Sequence, residues 1–127
     1  MPLVEVTLRE GKPAQFIRSM LDEIHEALVS QANVPADDRF QIVHQVAAEE
    51  LVAHPTYGGV SRSEGLLIIR ITLNAGRTVE VKKALYADIV ARLGRSLDVR
   101  RDDVLISLVE VTKENWSFGN GVMTYPP

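Results

Sequence analysis

The feature that most constrains the fold is an internal repeat. Residues 2–47 align with residues 67–112 without a gap, at one constant offset of 65 residues. Nine of the 46 aligned positions are identical, whereas about three are expected by chance from average residue frequencies. The identical pairs include one glycine and two consecutive aspartates in each half: Gly11 and Gly76, Asp37 and Asp102, Asp38 and Asp103. The gapless register favours a duplicated supersecondary unit over a chance likeness of two similar motifs.

Each half contains two strand patterns that flank one helix pattern. The strand patterns are rich in β-branched residues and lie at 2–8, 39–46, 66–73 and 104–111. Apolar residues recur at helical spacing from Phe16 to Leu28 and from Val81 to Leu93. We therefore predict one domain over residues 1–127, with β-α-β halves at about 2–47 and 66–112, a linker at 48–65 and a tail at 113–127.

The fold class that follows is α+β, with a duplicated β-α-β unit. Each crossover makes its two strands parallel and places its helix on one face of the sheet. Two such units predict a four-stranded mixed sheet with both helices on one face. Val4, Val6 and Leu8 would face the helices, while the opposite face is mixed and carries Glu5 and Arg70 at equivalent repeat positions. A mixed face suits a subunit contact, so we expect a closed homo-oligomer.

Composition excludes several kinds of binding partner and of reactive site. Of 127 residues, 46% are hydrophobic and 24% are charged, as in globular proteins. The absence of cysteine excludes disulfides, thiolate nucleophiles and cysteine-ligated metals. A net charge of −3 gives no reason to expect nucleic acid. No apolar run of membrane-spanning length and no signal segment is visible, so we expect no membrane partner and a cytoplasmic location.

The three histidines do not point to a metal or a cofactor. His25, His44 and His54 lack the spacing of metal ligands. We expect His25 on a helix surface and His44 within a strand. No Ser-His-Asp pattern, phosphate loop or dinucleotide glycine motif is present. We therefore predict neither a bound metal nor a cofactor.

Pro2 is the most informative single residue. Methionine before a small second residue is normally removed, which would leave Pro2 with a free secondary amine that is nucleophilic and basic. An ordinary α-amino group titrates near pH 8; burial would lower this pKa and nearby carboxylates would raise it. If Met1 is retained, the Pro2 nitrogen is an amide without basicity. Many chains begin Met-Pro, so this residue alone is weak evidence for catalysis.

Two charged residues lie where strands and helices meet. Asp38 is in the segment VPADDRF, between the first helix and the second strand, where it could shape a turn. Its repeat counterpart Asp103 favours that structural role. Arg77 follows Gly76 at the end of the third strand and opens the second helix. It could bind a carboxylate through two hydrogen bonds or be a solvated cation, as could its counterpart Lys12.

The tail at 113–127 is enriched in aromatic residues. It holds the single tryptophan, Trp116, together with Phe118 and Tyr125, which are three of the seven aromatic residues of the chain. Two roles are open for such a tail. It could be a hydrophobic flap that closes the core or a neighbouring subunit, or it could form a wall of a substrate pocket.

With Met1-Pro2 and the doubled β-α-β unit, three motifs resemble the tautomerase superfamily over the whole chain. The motifs are NVPADDRFQ at 33–41, AGRTVEVKKALY at 75–86 and ENWSFGNG at 114–121. They are similar to those of the malonate semialdehyde decarboxylase group, in order and in spacing. The resemblance implies a homotrimer and an amino-terminal proline at the catalytic centre.

By this resemblance Pro2 is the catalytic proline and Asp38 matches the catalytic aspartate of the decarboxylase. Arg77 matches the second of two arginines that bind the carboxylate and carbonyl of the substrate, and Trp116 and Phe118 match an aromatic pocket wall. At the position of the first of these two arginines, this sequence has Ala75. A neutral proline acts as a general base in this family, and a protonated one acts as an acid.

Three functions remain open from the sequence. The leading hypothesis is a keto–enol tautomerase of a small 2-oxo acid, in which Pro2 moves the proton, Arg77 holds the carboxylate and Asp38 orients water or the substrate oxygen. Trp116 and Phe118 would keep the pocket dry. The second is a decarboxylase or hydratase of a 3-oxo acid such as malonate semialdehyde, with a cationic Pro2; Ala75 disfavours it. The third is a non-catalytic trimeric scaffold or binding protein.

Overall fold

A computed structural model describes residues 1–125 and contains a four-stranded sheet with two helices. The elements in chain order are β1 (Pro2–Arg9), α1 (Ala14–Ala32), β2 (Phe40–Val46), β3 (Leu67–Asn74), α2 (Val79–Leu97) and β4 (Val104–Val111). Short 3-10 turns follow β2, precede β4 and follow β4. The four predicted strands are confirmed, and their observed ends differ from the predicted ends by no more than one residue. Both predicted helices are also confirmed. The last two residues of the predicted tail, 126 and 127, lie outside the described part of the chain.

The strand order is β2-β1-β3-β4, and the sheet is mixed as predicted. β1 is parallel to β2 and β3 is parallel to β4, while β1 and β3 are antiparallel in the centre. At one end of the sheet Pro2 pairs with Leu73, and Leu3 pairs with Phe40. The first residue of β1 therefore lies beside the last residues of β3 and the first residue of β2.

The core lies between the helices and one face of the sheet. Along β1, buried side chains alternate with partly exposed ones, and Val4 and Val6 are at most 1% exposed. β3 alternates in the same way, and its outward-facing Arg70 is exposed. From the helices the core receives Met20, Ile24, Leu28, Leu85, Ile89 and Leu93. The prediction of one apolar face covered by both helices is confirmed.

Element bounds and backbone geometry follow the 65-residue offset of the sequence. Both helices have 19 residues, and their first residues, Ala14 and Val79, are equivalent in the repeat. The helices end on equivalent left-handed caps, Asn33 with φ 57° and Asp98 with φ 55°. Gly11 and Gly76, which precede the helices, have φ values of 120° and 127°. Only glycine adopts such values without strain, which explains the identity of this pair.

Two expectations from the sequence are corrected. His25 is not on the surface: it is 5% exposed, because the segment after α1 folds back over the helix and the ring Nε2–H donates a hydrogen bond to the Ala36 carbonyl at 2.8 Å. Arg77 does not open α2. Thr78 is the N-cap, whose hydroxyl accepts from the Val81 N–H at 3.2 Å, so Arg77 lies in the turn between β3 and the helix. His44 lies within β2, as expected.

The tail folds into a closed loop rather than an extended strand. We name residues 116–125 the aromatic loop. The Thr124 N–H donates to the Trp116 carbonyl at 3.1 Å, and the Phe118 N–H donates to the Thr124 hydroxyl at 2.8 Å. Within residues 1–125, neither helix has the length and apolar character needed to cross a membrane.

Candidate active site

Pro2 lies at the end of the sheet where the predicted site residues converge. It is buried and is the first residue of β1. Its neighbour on β3 is Leu73, which is followed by Asn74 and, three residues later, by Arg77. On the other side, Leu3 pairs with Phe40, which begins β2 two residues after Asp38. The strand register thus places Asp38 and Arg77 on opposite sides of Pro2.

Asp38 faces the amino terminus of the chain. The Met1 amine lies 3.4 Å from Asp38 Oδ2, and both side chains are largely buried, with 6% of Met1 and 20% of Asp38 exposed. The Asp38 N–H donates to the Pro35 carbonyl at 3.0 Å, which closes a tight turn. Asp38 therefore belongs to a turn, as its simpler interpretation predicted, and also presents a carboxylate to the terminal amine.

Arg77 connects the end of α1 to the end of β3. Its Nε and Nη2 atoms donate to the Ala32 carbonyl at 3.1 and 3.0 Å, and Nη1 donates to the Asn74 carbonyl at 3.2 Å. Carbonyls at a helix C-terminus lack partners in the helix and attract a cation. A guanidinium has five N–H donors, so two remain to bind a carboxylate. Arg77 is therefore held in place rather than freely solvated.

Asn74 links Arg77 to the aromatic loop. Its side-chain oxygen accepts a hydrogen bond from the Trp116 indole at 2.7 Å, while its carbonyl accepts from Arg77. Trp116 is thereby fixed on β3, next to the strand that begins with Pro2. A buried or half-buried indole N–H usually needs such a partner.

The aromatic loop crosses the Pro2 end of the sheet. Trp116 is bound at β3, whereas the ring of Phe118 lies 6.3 Å from that of Phe40 on β2 and 6.0 Å from that of Trp116. The ring of Tyr125 packs edge-on against Phe118 at 5.6 Å. Since β1 lies between β2 and β3, the loop covers the strand end at which Pro2 lies. Such a cover excludes water and strengthens polar contacts beneath it.

A cleft of about 620 Å³ opens beside this group. Its walls come from Asn74 and Ala75 at the end of β3, from residues 111–114 at and after the end of β4, and from Met123 and Tyr125 of the aromatic loop. We name it the Ala75 cleft. Strands lie about 4.8 Å apart, so the cleft begins one strand spacing from Pro2, at the end of β3, and extends to β4 on the Arg77 side.

Two carboxylates near the cleft remain ionised. The Lys82 ammonium donates to Glu110 at 2.8 Å and lowers the pKa of that carboxyl below its usual range, with smaller effects from the Gly76 N–H and the Arg77 charge. The pKa of Glu114 is lowered by hydrogen bonds from its own backbone N–H and from Thr112. No group of three or more His, Asp or Glu side chains within residues 1–125 could hold a metal ion.

The repeat counterpart of the site is built differently. Asp103 is 2% exposed and accepts hydrogen bonds from the Ser63 N–H at 2.7 Å and the Ser63 hydroxyl at 2.5 Å. Burial alone would raise the pKa of Asp103, but these bonds and the nearby Arg100 lower it. Lys12, the counterpart of Arg77, lies 4.7 Å from the Phe16 ring centroid. The linker therefore occupies in the second repeat the position that the amino terminus has in the first.

Sequence reasoning missed Phe40, Asn74 and His25 as neighbours of the site. Phe40 looked like an ordinary strand residue, and its 47% exposure at the start of β2 could not be read from periodicity. Asn74 ends a strand pattern and gave no signal beyond its place before Ala75 and Gly76. The register of the sheet, rather than any local motif, brings Phe40 and Asn74 to the Pro2 end, while the turn after α1 covers His25.

Comparisons with known proteins point to one family. Two family models, both described as tautomerase enzymes, match residues 2–60 and 38–119. A curated relative, the probable tautomerase YusQ of Bacillus subtilis, is 40% identical over 121 residues, which cover 95% of each chain.

Solved structures agree with these matches. A malonate semialdehyde decarboxylase, studied for decarboxylase and hydratase activities, superposes with a TM-score of 0.89 at 34% identity, covering 95% of this chain and 93% of that one. A symmetric trimer of wild-type fused 4-OT superposes with a TM-score of 0.77 at 24% identity and covers 94% of each chain. The second likeness concerns the fold.

Proposed function

Because this chain belongs to the tautomerase family, we propose that it is a keto–enol tautomerase of a small 2-oxo acid and that Pro2 is its proton shuttle. The observation that carries the proposal is the place of Pro2 at the sheet end, between the Asp38 carboxylate and the Arg77 guanidinium and under the aromatic loop. This arrangement combines a candidate base, a candidate carboxylate-binding cation and a cover against water.

In the proposed reaction, the neutral Pro2 amine accepts the proton of the enol hydroxyl. The carbon–carbon double bond then supplies its electron pair to that proton at C3, and the carbonyl forms at C2. Proton transfer by one positioned group typically contributes about 10²–10⁴-fold to the rate. Arg77 holds the substrate carboxylate with its two remaining N–H donors. Asp38 orients the C2 oxygen, which changes from an enol hydroxyl to a carbonyl.

The Pro2 nitrogen must be a free amine for this chemistry. Within the chain it follows Met1 and is an amide, which neither accepts a proton nor carries charge. The Met1 amine lies 3.4 Å from Asp38, one residue before the Pro2 nitrogen. After removal of Met1, we expect the Pro2 amine to be the group that faces this carboxylate.

A decarboxylase or hydratase of a 3-oxo acid is the second candidate, and the pairing of the amine with Asp38 favours it. A carboxylate at this distance attracts a positive charge, so Asp38 would hold a cationic Pro2 amine in place. A cationic Pro2 would polarise the 3-oxo oxygen of malonate semialdehyde. The bond between C2 and the carboxylate carbon would break, carbon dioxide would leave, and its electron pair would form the enol, which then takes a proton at C2.

The test of the proposal is Pro2→Ala, assayed by the loss of ultraviolet absorbance as phenylenolpyruvate ketonises. We expect kcat/KM to fall by about 10²-fold or more, because alanine supplies a primary amine whose position is less fixed than that of the proline nitrogen. Pro13→Ala, at the exposed N-cap of α1, is the matched control and should keep the wild-type rate. If Pro2→Ala keeps the wild-type rate, the proposal fails; if carbon dioxide is released from malonate semialdehyde instead, the second candidate replaces it.

We also propose a homotrimer, because the open face of the sheet presents apolar side chains to solvent. Phe40, Ile42 and Val109 are 47%, 44% and 41% exposed on strands of this face. Glu5 and His44 lie among them, with His44 Nε2 3.1 Å from Glu5 Oε1. Burying such a face between subunits removes apolar area from water.

A further inference from the structure

His25 is a buried polar side chain that the proposed chemistry does not use. Among residues 1–125, His25 and Asp103 are the two polar or charged residues that are buried, at 5% and 2% exposure. A buried polar group is costly unless it forms hydrogen bonds. His25 lies in the first repeat and Asp103 in the second, so a comparison of the repeats shows what each of them holds.

The two repeats share one tight turn ahead of their last strand. In the first repeat the Asp38 N–H donates to the Pro35 carbonyl at 3.0 Å, and in the second the Asp103 N–H donates to the Arg100 carbonyl at 2.9 Å. The donors and the acceptors are equivalent at the offset of 65 residues. Both turns are therefore closed in the same way, and the difference lies in what fastens each turn to the rest of the domain.

In the second repeat the aspartate side chain itself fastens the turn. Asp103 Oδ1 accepts from the Ser63 N–H at 2.7 Å, and Asp103 Oδ2 accepts from the Ser63 hydroxyl and from Arg100. Both oxygens of Asp103 are thus engaged in structural hydrogen bonds. Val90, the counterpart of His25, has no side-chain donor, so α2 offers none at this position.

In the first repeat the turn is fastened through its backbone. The His25 Nε2–H donates at 2.8 Å to the Ala36 carbonyl, which belongs to the central peptide of the turn. This bond does not use the Asp38 side chain, whose Oδ2 atom lies 3.4 Å from the terminal amine instead. The hydrogen bond from α1 therefore leaves the carboxylate available for chemistry.

Two further contacts join the same chain segment to α1, but they lie after the turn. The Arg39 guanidinium donates to Asp22 at 2.6 Å, and the Gln41 side chain donates to the Leu21 carbonyl at 2.7 Å. The Asp22 side chain is 64% exposed, and an ion pair with such exposure contributes little to stability. These contacts fix the start of β2, whereas His25 bonds to the turn itself.

The geometry points to His25 as a positioning residue that holds the turn through Ala36 and so keeps the Asp38 carboxylate beside the terminal amine. This inference rests on the proposed function, in which Asp38 orients the substrate oxygen. His25 acts on the reaction only through Asp38. Misplacing a positioned group by about 1 Å can lower a rate by about 10²-fold, so a loosened turn is expected to lower kcat.

The first test removes the hydrogen bond and then restores it, in the phenylenolpyruvate assay. His25→Leu has a side chain of similar size without a donor, and we expect kcat to fall about tenfold with KM little changed. His25→Gln places an amide N–H near the position of Nε2, and we expect it to restore most of kcat. Equal kcat in His25→Leu and wild type overturns the inference, and so does a His25→Gln variant no more active than His25→Leu.

Gln41→Met is the matched control, because it removes the other side-chain hydrogen bond from this segment to a backbone carbonyl of α1. We expect it to lower the free energy of unfolding about as much as His25→Leu does, without lowering kcat. A Gln41→Met variant with kcat as low as that of His25→Leu would show that any loosening of this segment suffices, and it would overturn the inference.

A double variant tests whether His25 acts through Asp38. In an Asp38→Asn background the carboxylate is already absent, so the addition of His25→Leu should lower kcat by less than about twofold. A merely structural role would lower kcat by the same factor in both backgrounds, and that result overturns the inference. An Asp38→Asn variant with full activity refutes the proposed role of Asp38.

Amide hydrogen exchange separates failure of this inference from failure of the proposed function, because it needs no turnover. We expect the Asp38 N–H to exchange about tenfold faster in His25→Leu than in wild type and to slow again in His25→Gln. The Asp103 N–H, which closes the equivalent turn in the same sample, should keep its wild-type rate. If wild type gives no turnover but Asp38 exchange changes in this way, the proposed function fails and the positioning by His25 holds. An unchanged Asp38 exchange rate overturns the inference.

Discussion

Asp38 and Asp103 occupy the same position of the two repeats, yet each accepts a different partner. Asp38 faces the amino terminus at 3.4 Å, whereas Asp103 is buried and binds the Ser63 N–H at 2.7 Å. The duplicated unit has therefore used one aspartate position in two ways. In the first repeat it faces a terminal amine, and in the second it fastens the linker to the sheet.

The first prediction separates these two aspartates. Asp103→Asn should lower the free energy of unfolding by about 1–3 kcal/mol, since it leaves the Ser63 donors with a poorer acceptor at a buried position. Asp38→Asn should lower kcat/KM and change stability little. Urea denaturation and phenylenolpyruvate kinetics on both variants check this. The reverse pattern, with Asp103→Asn inactive but stable, would contradict the assigned roles.

The second prediction concerns stability at acid pH. The pKa of Asp103 is lowered in the folded protein, so the folded state binds the proton less readily than the unfolded state does. Its contribution to stability is complete above the unfolded aspartate pKa of about 3.9 and is lost as the pH falls through the lower folded value. Wild type should therefore lose more stability than Asp103→Asn between neutral pH and pH 3, as measured by urea denaturation. Equal losses would contradict this assignment.

The third prediction uses the single tryptophan as a reporter of the aromatic loop. Asn74→Ala removes the acceptor of the Trp116 indole, now at 2.7 Å. We expect a red-shifted emission and stronger acrylamide quenching, because the ring gains contact with water. Asn115→Ala, at an exposed neighbour of Trp116, is the control and should leave the spectrum unchanged. An unchanged Asn74→Ala spectrum would show that the loop is held by other contacts.

The fourth prediction concerns assembly. Sedimentation of the wild-type protein should give the mass of a trimer. Ile42→Glu places a charge on the open sheet face and should shift the protein towards monomer, since an unpaired charge is costly to bury. Val52→Glu, at a side chain that is 91% exposed, should not. A monomeric wild type would refute the proposed homotrimer.

The fold was predictable from the sequence because the apolar periodicity of each strand and helix can be read from neighbouring residues, and because the repeat shows the same pattern twice. The alternation of Val4, Val6 and Leu8 fixes which face of β1 is buried, and helical spacing fixes the buried side of α1. The sequence also pointed to Pro2, Asp38 and Arg77, and the sheet register brings these three to one end of the sheet. Their chemical roles remain proposals.

Contacts made across the sheet end were not predictable. His25 looked like a surface residue because its burial comes from the turn that folds back over α1, not from helical spacing. Arg77 looked like a helix opener, but its partners are the Ala32 and Asn74 carbonyls. The link from Asn74 to Trp116 spans 42 positions of the chain, and no local pattern encodes it.

The measurement that tests the central claim most directly compares two preparations of the same chain, one with Met1 and one without, each verified by intact mass. Phenylenolpyruvate ketonisation is followed in both. We predict turnover well above the buffer rate for the protein that begins at Pro2 and no turnover above buffer for the protein that keeps Met1, whose Pro2 nitrogen is an amide. Equal rates in the two preparations, or no turnover by the protein with the free Pro2 amine, would contradict Pro2 as the proton shuttle.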